Sequence, residues 1–292
     1  MPIVLNMLAL LTDWIRVVTA VSILILSEVC IPNPALSSTL PAYAHNDYKN
    51  ARPLWDALDR GYRGVEVDVF LVDGQLLLGH DLNEAARGES LEEFYLHVLE
   101  RRVEDLGSVY GDGRSFLLNV ELKEADPAAF DETRRLLAKY APLFTTTVEG
   151  ELSPGPVQVI LVGWHPPVEE LLSLTVRRFG IQKRSPDLRV SEEECPAHLY
   201  QLISLEFREL SRWNGVGSPP RRFRERMRRF YRERRRAPDR LVRVFEVPRS
   251  KIIYRELIEN GVDYIGTKTI EDTRILLERS ETAGSRQFRW GR

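Results

Sequence analysis

The chain has 292 residues, of which 43% are hydrophobic and 29% are charged, and its formal net charge is −2. This is the composition of a globular protein that is long enough for one large domain with a substantial core. The near-neutral charge provides no overall attraction to nucleic acid or to anionic lipid, and two cysteines do not indicate a disulfide framework.

The N-terminal region carries a mostly apolar run from Val17 to Leu26, directly after Arg16. The run has the length of a signal-peptide core and is short for a membrane-spanning helix, which needs roughly 20 residues. We therefore expect residues 1–40 to be a signal peptide or membrane anchor with a linker, and the protein to be secreted or membrane-associated. A buried helix, an extension from a wrongly chosen start codon and a cytoplasmic location stay open.

Short apolar stretches alternate with helix-like segments along the rest of the chain. The predicted strands are 42–45, 64–72, 116–122, 157–163, 178–182, 202–206, 241–247 and 262–266, and the predicted helices are 53–60, 90–104, 127–140, 167–175, 219–236 and 250–260. Such alternation is typical of parallel strands with helical crossovers, and Asp73-Gly74 indicates a tight hairpin. Since a barrel of this kind has about 250 residues, we predict a single α/β domain, a TIM-type (β/α)8 barrel over 41–280. A polar C-terminal tail, 281–292, follows it.

Three carboxylates are expected at one end of this barrel. Glu66 and Asp68 are two positions apart on a strand, so their side chains point to the same side. Glu121 has the equivalent place on the next parallel strand, near the end that forms the active-site mouth of such barrels. An oxygen-rich cluster of this kind suits a hard cation, so we predict Glu66, Asp68 and Glu121 as ligands of one divalent ion, Mg²⁺ or Ca²⁺.

Two histidines accompany the acidic residues. His45 ends the first predicted strand, and His80 follows the hairpin that extends the second, so both can reach the same mouth. Because histidine titrates near neutrality, the pair can divide the work of general base and general acid. His97, His165 and His198 have no such acidic neighbours and are interpreted as structural.

These motifs together resemble a known family. The sequence has His45 in HND, Glu66 and Asp68 in EVDV, His80 in GHD and Glu121 in ELK. This order resembles the glycerophosphodiester phosphodiesterases and the wider phospholipase-C-like phosphodiesterase superfamily, which includes the sphingomyelinase D enzymes. The resemblance runs from about residue 42 to 277 and implies a TIM-type barrel, one divalent cation and two catalytic histidines that cleave a phosphodiester. It also implies that Lys123 meets a phosphate oxygen.

One departure from the family concerns the residue after the first histidine. The diesterases usually have an arginine there, whereas Asn46 stands here, so one permanent charge of the expected phosphate clamp is missing. The HNDY form resembles a branch of the superfamily in which WNG, residues 213–215, also recurs. We therefore expect Asn46, Trp213 and Asn214 to contact the substrate; for Trp213 and Asn214 the alternative is a packed loop tip.

Residues 221–236 hold ten arginines and two glutamates. Phe223, Met227 and Phe230 recur at helical spacing, which favours an outer helix that packs on the barrel and exposes its arginines to solvent. Contact with an anionic membrane surface is the second interpretation, and it suits a lipid-headgroup substrate. Nucleic acid is not expected as a partner.

The sequence therefore predicts a metal-dependent phosphoric diester hydrolase. The expected substrates are glycerophosphodiesters or lysophospholipids. A non-catalytic barrel that binds phosphorylated headgroups at a membrane is the alternative, although such a module has no need of both His45 and His80. A nuclease is a distant third reading, which rests on the arginine-rich segment alone.

Overall fold

A computed structural model describes residues 39–185, 188–236 and 240–281. The predicted signal or anchor segment and most of the predicted C-terminal tail lie outside these ranges. Within them, no helix combines the length and the apolar character needed to cross a membrane.

Eight parallel strands close into a barrel. They are β1 (Leu40–Ala44), β2 (Tyr62–Val72), β4 (Phe116–Leu122), β7 (Val157–Gly163), β9 (Gly180–Arg184), β10 (Leu202–Glu206), β11 (Leu241–Phe245) and β12 (Tyr264–Thr267). Each pairs with the next along the chain, and β1 pairs with both β2 and β12, which closes the ring. The predicted TIM-type barrel is thereby confirmed, with strand ends shifted by up to two residues.

Two smaller β structures accompany the barrel. Strand β3 (Gln75–Leu78) pairs antiparallel with β2 across Asp73-Gly74, as the sequence predicts. Strands β5 (Thr146–Val148), β6 (Glu151–Ser153) and β8 (Val176–Arg177) form a separate antiparallel sheet. This sheet was not predicted, because strands of two or three residues are too short to show a period.

Helices surround the barrel. They are α1 (Trp55–Asp59), α2 (Leu82–Ala85), α3 (His97–Leu106, preceded by a π-helical turn over Glu92–Leu96), α4 (Pro127–Lys139), α5 (Val168–Ser173), α6 (Phe207–Leu210), α7 (Arg221–Arg234), α8 (Lys251–Glu259) and α9 (Ile270–Glu281). The buried residues Phe223, Met227 and Phe230 lie on one side of α7, as their spacing predicts. The predicted helices all have counterparts, whereas α2, α6 and α9 were not predicted.

The barrel interior is filled by large side chains, so it is a packed core. Tyr43, Leu117, Ile160, Leu202 and Tyr264 form a buried cluster from five of the eight strands. A second and larger cluster lies between the strands and the helices. Polar side chains that point inward above this filled layer therefore lie on top of a packed core.

The register between β2 and β4 brings acidic residues side by side. Glu66 is paired with Asn119, and Asp68 is paired with Glu121. Because the strands are parallel, residues at matched positions lie at the same height along the barrel. The carboxyl ends of these two strands thus present Asp68 and Glu121 as neighbours.

Candidate active site

The three predicted metal ligands lie together. One carboxylate oxygen from each of Glu66, Asp68 and Glu121 lies within 4.8 Å of the others. Glu66 and Asp68 are buried, with 3% and 1% of their surfaces exposed, and Glu121 is partly buried. We call these three residues the acid cluster.

Asp68 contacts Tyr48, His80 and Lys123 on one side of the acid cluster. Its Oδ2 accepts hydrogen bonds from the hydroxyl of Tyr48 at 3.0 Å and lies 2.9 Å from Nδ1 of His80. The ammonium group of Lys123 lies 3.5 Å from the same oxygen and 3.2 Å from Oε1 of Glu121. His80 and Lys123 are thus held beside the cluster by its own carboxylates.

The other oxygen of Asp68 has no such partner. Oδ1 is buried and makes no hydrogen bond with any residue that the structure describes. An unpartnered buried carboxylate oxygen is costly, since it has lost its contact with water. Together with the convergence of three carboxylates, this oxygen fits a divalent cation, for which carboxylate oxygens are the preferred ligands. The predicted ligand set is therefore compatible with one hard cation.

Glu66 is fixed from beneath by two residues of the barrel interior. Its Oε2 accepts a short hydrogen bond from the hydroxyl of Tyr43 and another from the guanidinium of Arg243 at 3.0 Å. The Arg243 guanidinium also lies 4.7 Å from the centre of the Tyr43 ring, and Asn119 donates to the Tyr43 hydroxyl at 2.8 Å. These contacts leave Oε1 of Glu66 directed towards the site.

His45 lies next to Oε1 of Glu66. Its Nε2 is 3.6 Å from Oε1 of Glu66, and its backbone nitrogen donates to the carbonyl of Thr267 at 3.0 Å. Burial lowers the pKa of His45 below its usual value, although the charge of Glu66 acts in the opposite direction. The imidazole is therefore neutral near pH 7 and able to accept a proton.

The turn after His45 is held by Asp47, which is fully buried. Its carboxylate accepts hydrogen bonds from the backbone nitrogen of Leu54 at 2.6 Å, the hydroxyl of Tyr95 at 2.8 Å and the amide of Asn50 at 3.0 Å. Burial raises the pKa of this carboxyl group. Asp47 thus has a structural role, in which it fixes the segment that carries His45 and Tyr48.

Glu121 is accommodated by a glycine on the neighbouring strand. Gly163 has a φ of 73°, and a Cβ atom there would lie 2.9 Å from Cγ of Glu121 and 2.5 Å from the carbonyl oxygen of Leu122. A larger residue at this position would displace the carboxylate. Burial raises the pKa of Glu121, and the charge of Asp68 adds to this effect.

A cavity of about 700 Å³ opens beside the acid cluster. Glu66, Glu121 and His45 line its acidic side, and His165 also lines it. His165 was interpreted as structural, and its Nδ1 lies 2.7 Å from the carbonyl oxygen of Pro166. The volume is in the usual range for a small-molecule site.

The four residues that were expected to contact the substrate, Lys123, Asn46, Trp213 and Asn214, are not among those that line this cavity. Asn46 forms a left-handed corner of the turn after β1, with a φ of 51°. Trp213 is buried, contacts the tilted ring of Phe223 in α7 and donates its indole N–H to the carbonyl of Val216. The Asn214 side chain accepts from the backbone nitrogen of Val216, so both residues belong to a packed loop.

Sequence reasoning missed several polar residues of the site, among them Tyr43, Tyr48 and Arg243. A charged side chain in the apolar stretch LVRVF is the same signal that singled out Glu66, and it could have indicated Arg243. Its partner could not have been found this way, because Glu66 lies 177 positions away in the sequence.

Part of the chain is similar to a known protein family. Residues 37–179 match the family model of the AIM6-like phosphodiesterase domain. No curated protein matches the chain.

Solved structures with a similar arrangement share little sequence with the chain. A glycerophosphodiester phosphodiesterase from Agrobacterium tumefaciens str. C58 is 16% identical with a TM-score of 0.47, covering 81% of this chain and 100% of its own. A protein from Aquifex aeolicus VF5 is 14% identical with a TM-score of 0.45, covering 84% and 92%. The tryptophan synthase α-subunit from Pyrococcus furiosus is 14% identical with a TM-score of 0.44, covering 82% and 95%.

The family match begins just before β1 and ends just before β9, so it includes both histidines, the acid cluster and Lys123. The predicted resemblance to phosphodiesterases is thereby confirmed. Residues 37–179 are therefore similar to the AIM6-like phosphodiesterase domain.

Proposed function

We propose that the protein is a metal-dependent phosphoric diester hydrolase that cleaves glycerophosphodiesters or lysophospholipid headgroups. The observation that carries the proposal is the convergence of three carboxylates within 4.8 Å, with His45 next to Glu66 and His80 next to Asp68. A diester phosphate bound at the acid cluster would then have an imidazole within reach of both its attacking and its leaving group.

The two histidines supply the proton transfers. One imidazole removes a proton from the nucleophile, which is water or a neighbouring hydroxyl of the substrate, and the second donates a proton to the leaving alkoxide. The contact with Asp68 orients His80, and the contact with Glu66 orients His45. Attack by water gives a monoester and an alcohol, whereas attack by the substrate hydroxyl gives a cyclic phosphate and an alcohol.

The acid cluster would hold the cation, and Lys123 would contact a phosphate oxygen. A bound Mg²⁺ or Ca²⁺ offsets the negative charge that builds up on the phosphate oxygens in the transition state. The Lys123 ammonium, which lies between Glu121 and Asp68, adds a positive charge beside the same oxygens.

The test is hydrolysis of a panel of glycerophosphodiesters and lysophospholipids, followed by phosphorus-31 NMR. We expect cleavage by the wild-type protein and a loss of roughly two to four orders of magnitude in kcat for His45→Ala and for His80→Ala. His97→Ala is the matched control, because His97 is exposed, contacts Tyr140 edge to face and does not line the cavity. A His45→Ala, His80→Ala double variant as active as wild type would contradict the mechanism.

The same panel separates hydrolysis from binding alone. A non-catalytic module would bind lysophospholipid without releasing any product, whatever divalent ion is supplied. Product release that depends on both histidines is expected only of the enzyme.

We propose further that the exposed arginines of α7 contact anionic membrane surfaces, which would keep the enzyme near lipid headgroups. Arg224, Arg228 and Arg232 follow one another at helical spacing and are exposed. Binding to anionic vesicles should weaken with salt, and an Arg224→Gln, Arg228→Gln, Arg232→Gln variant should lose more than about tenfold in affinity, since each basic residue contributes about 1 kcal/mol. Vesicle pelleting that is indifferent to both salt and substitution would count against this contact.

A further inference from the structure

The cavity has a second chemical side that the proposed cleavage does not use. Its residues follow the carboxyl ends of β9, β11 and β12, while the acid cluster belongs to β2 and β4. Arg184, Arg249 and Lys268 line the cavity here, and we call them the basic wall. Among the described lining residues on this side, Glu246 is the one carboxylate, so positive charge is in excess.

Two members of the basic wall are held in place by neighbouring carboxylates. The Lys268 ammonium lies 2.7 Å from Oε1 of Glu246, and the Arg249 guanidinium pairs with Asp272. An ammonium group has three N–H donors and a guanidinium has five, so one such contact leaves donors for a ligand. These pairs thus position the cations without using up their capacity to bind an anion.

Arg184 has no carboxylate partner within the described ranges. Its guanidinium lies 5.2 Å from the centre of the Phe245 ring, which supports it from one face. A stacked guanidinium keeps its planar edge available for the bidentate hydrogen bonds that recognise phosphate.

Gln182 supplies an independent sign that a polar ligand belongs here. It lines the cavity two residues before Arg184, and its side-chain oxygen is buried without a hydrogen-bond partner in the described part of the chain. Buried amides are almost always hydrogen-bonded, and because this oxygen is an acceptor, a hydroxyl group of a ligand in the cavity would satisfy it. The loops after the last two strands, which carry Arg249 and Lys268, are also a frequent phosphate site in barrels of this type.

We infer that the basic wall is a second anion subsite. It binds a phosphate monoester that is carried by an alcohol moiety of the diester substrate. The inference rests on the proposed function, and it narrows the substrate class to diesters that carry an additional phosphate. The diester phosphate lies at the acid cluster and the monoester lies against Arg184, Arg249 and Lys268 across the same cavity.

The kinetic test compares glycerophosphoinositol with glycerophosphoinositol 4-phosphate. We expect wild type to have the higher kcat/KM for the phosphorylated member. The ratio should fall about tenfold in Arg184→Gln and in Lys268→Gln, because one charge-assisted hydrogen bond contributes on that order. Arg212→Gln, an exposed loop arginine outside the cavity lining, should keep the wild-type ratio. Equal kcat/KM values for both substrates in wild type would overturn the subsite and leave the proposed hydrolysis standing.

A binding measurement separates the subsite from catalysis. Calorimetric titration with glycerol 3-phosphate in EDTA should show saturable binding to wild type that weakens in Arg184→Gln. If this is found while no diester is cleaved, the subsite is supported and the proposed hydrolysis fails. If the monoester binds wild type and Arg184→Gln alike, or binds neither, the subsite is wrong.

Discussion

At the level of single residues, Glu66 and Asp68 each use one carboxylate oxygen for contacts that hold the side chain. The other oxygen of each is left for the proposed chemistry. Glu66 gives one oxygen to Tyr43 and Arg243 and directs the other towards His45. Asp68 gives one oxygen to Tyr48 and His80 and keeps the second without a partner in the described structure. Each carboxylate is thus oriented by its neighbours, which would lower the cost of assembling a binding site.

Arg243 supplies the positive charge that compensates the buried carboxylate of Glu66 in the acid cluster. In Arg243→Met the buried carboxylate of Glu66 loses its cation, and we expect a loss of about 3–5 kcal/mol in the free energy of unfolding. The double variant Arg243→Met, Glu66→Gln should recover part of this loss, because no buried charge is then left unpaired. Urea unfolding in EDTA measures both, with exposed Arg228→Met as the control. A single variant as stable as wild type would contradict the assigned role.

Asp47 predicts a particular dependence of stability on pH. Burial raises the pKa of its carboxyl group in the folded protein, so the folded state retains a proton that the unfolded chain releases from about pH 4 upward. The stability that this group contributes is therefore complete below its unfolded pKa and is lost as the pH rises through its folded pKa. The stability of wild type relative to Asp47→Asn should accordingly fall across this window in urea titrations. A relative stability that grows as the pH rises would show that hydrogen bonds outweigh burial at this carboxyl.

At the scale of elements, local pattern predicted the strands and the spacing of the key carboxylates. Glu66 and Asp68 share one side of β2 because side chains alternate along a strand, and Glu121 could be matched to them because parallel strands end together. Arg243 and Tyr43 were missed because their role depends on contacts across the barrel. The WNG motif was expected to contact the substrate, with a packed loop tip as the alternative, and Trp213 packs on Phe223 as that alternative describes.

Helix α7 illustrates how one element combines packing and charge. Phe223 is buried between Phe207 and Trp213, so Phe223→Ala should lower the free energy of unfolding by about 3–5 kcal/mol. Tyr231 lies on the same helix with 42% of its surface exposed, and Tyr231→Ala should cost less than about 1 kcal/mol. Chemical denaturation of the two variants tests the orientation of the helix; equal losses would mean that its apolar side does not face the barrel.

At the scale of the whole molecule, the closed barrel brings residues from distant parts of the sequence to one cavity. Glu66 comes from β2, Glu121 from β4, His45 follows β1, and the basic wall comes from the ends of β9, β11 and β12. A carboxylate side and a cationic side of one cavity can hold the two charged ends of a substrate at a fixed distance. Closure also leaves the barrel strands without an open edge, because β1 pairs with both β2 and β12.

Calorimetric titration of EDTA-stripped protein with Mg²⁺ and with Ca²⁺ measures whether the acid cluster holds one divalent cation. We expect saturable binding of one ion per chain, weakened at least about tenfold in Asp68→Asn, because a ligand charge is removed. Glu132→Gln, on the outer helix α4, is the matched control and should bind as wild type does. Absence of saturable binding to wild type, or equal binding to Asp68→Asn, would contradict this expectation.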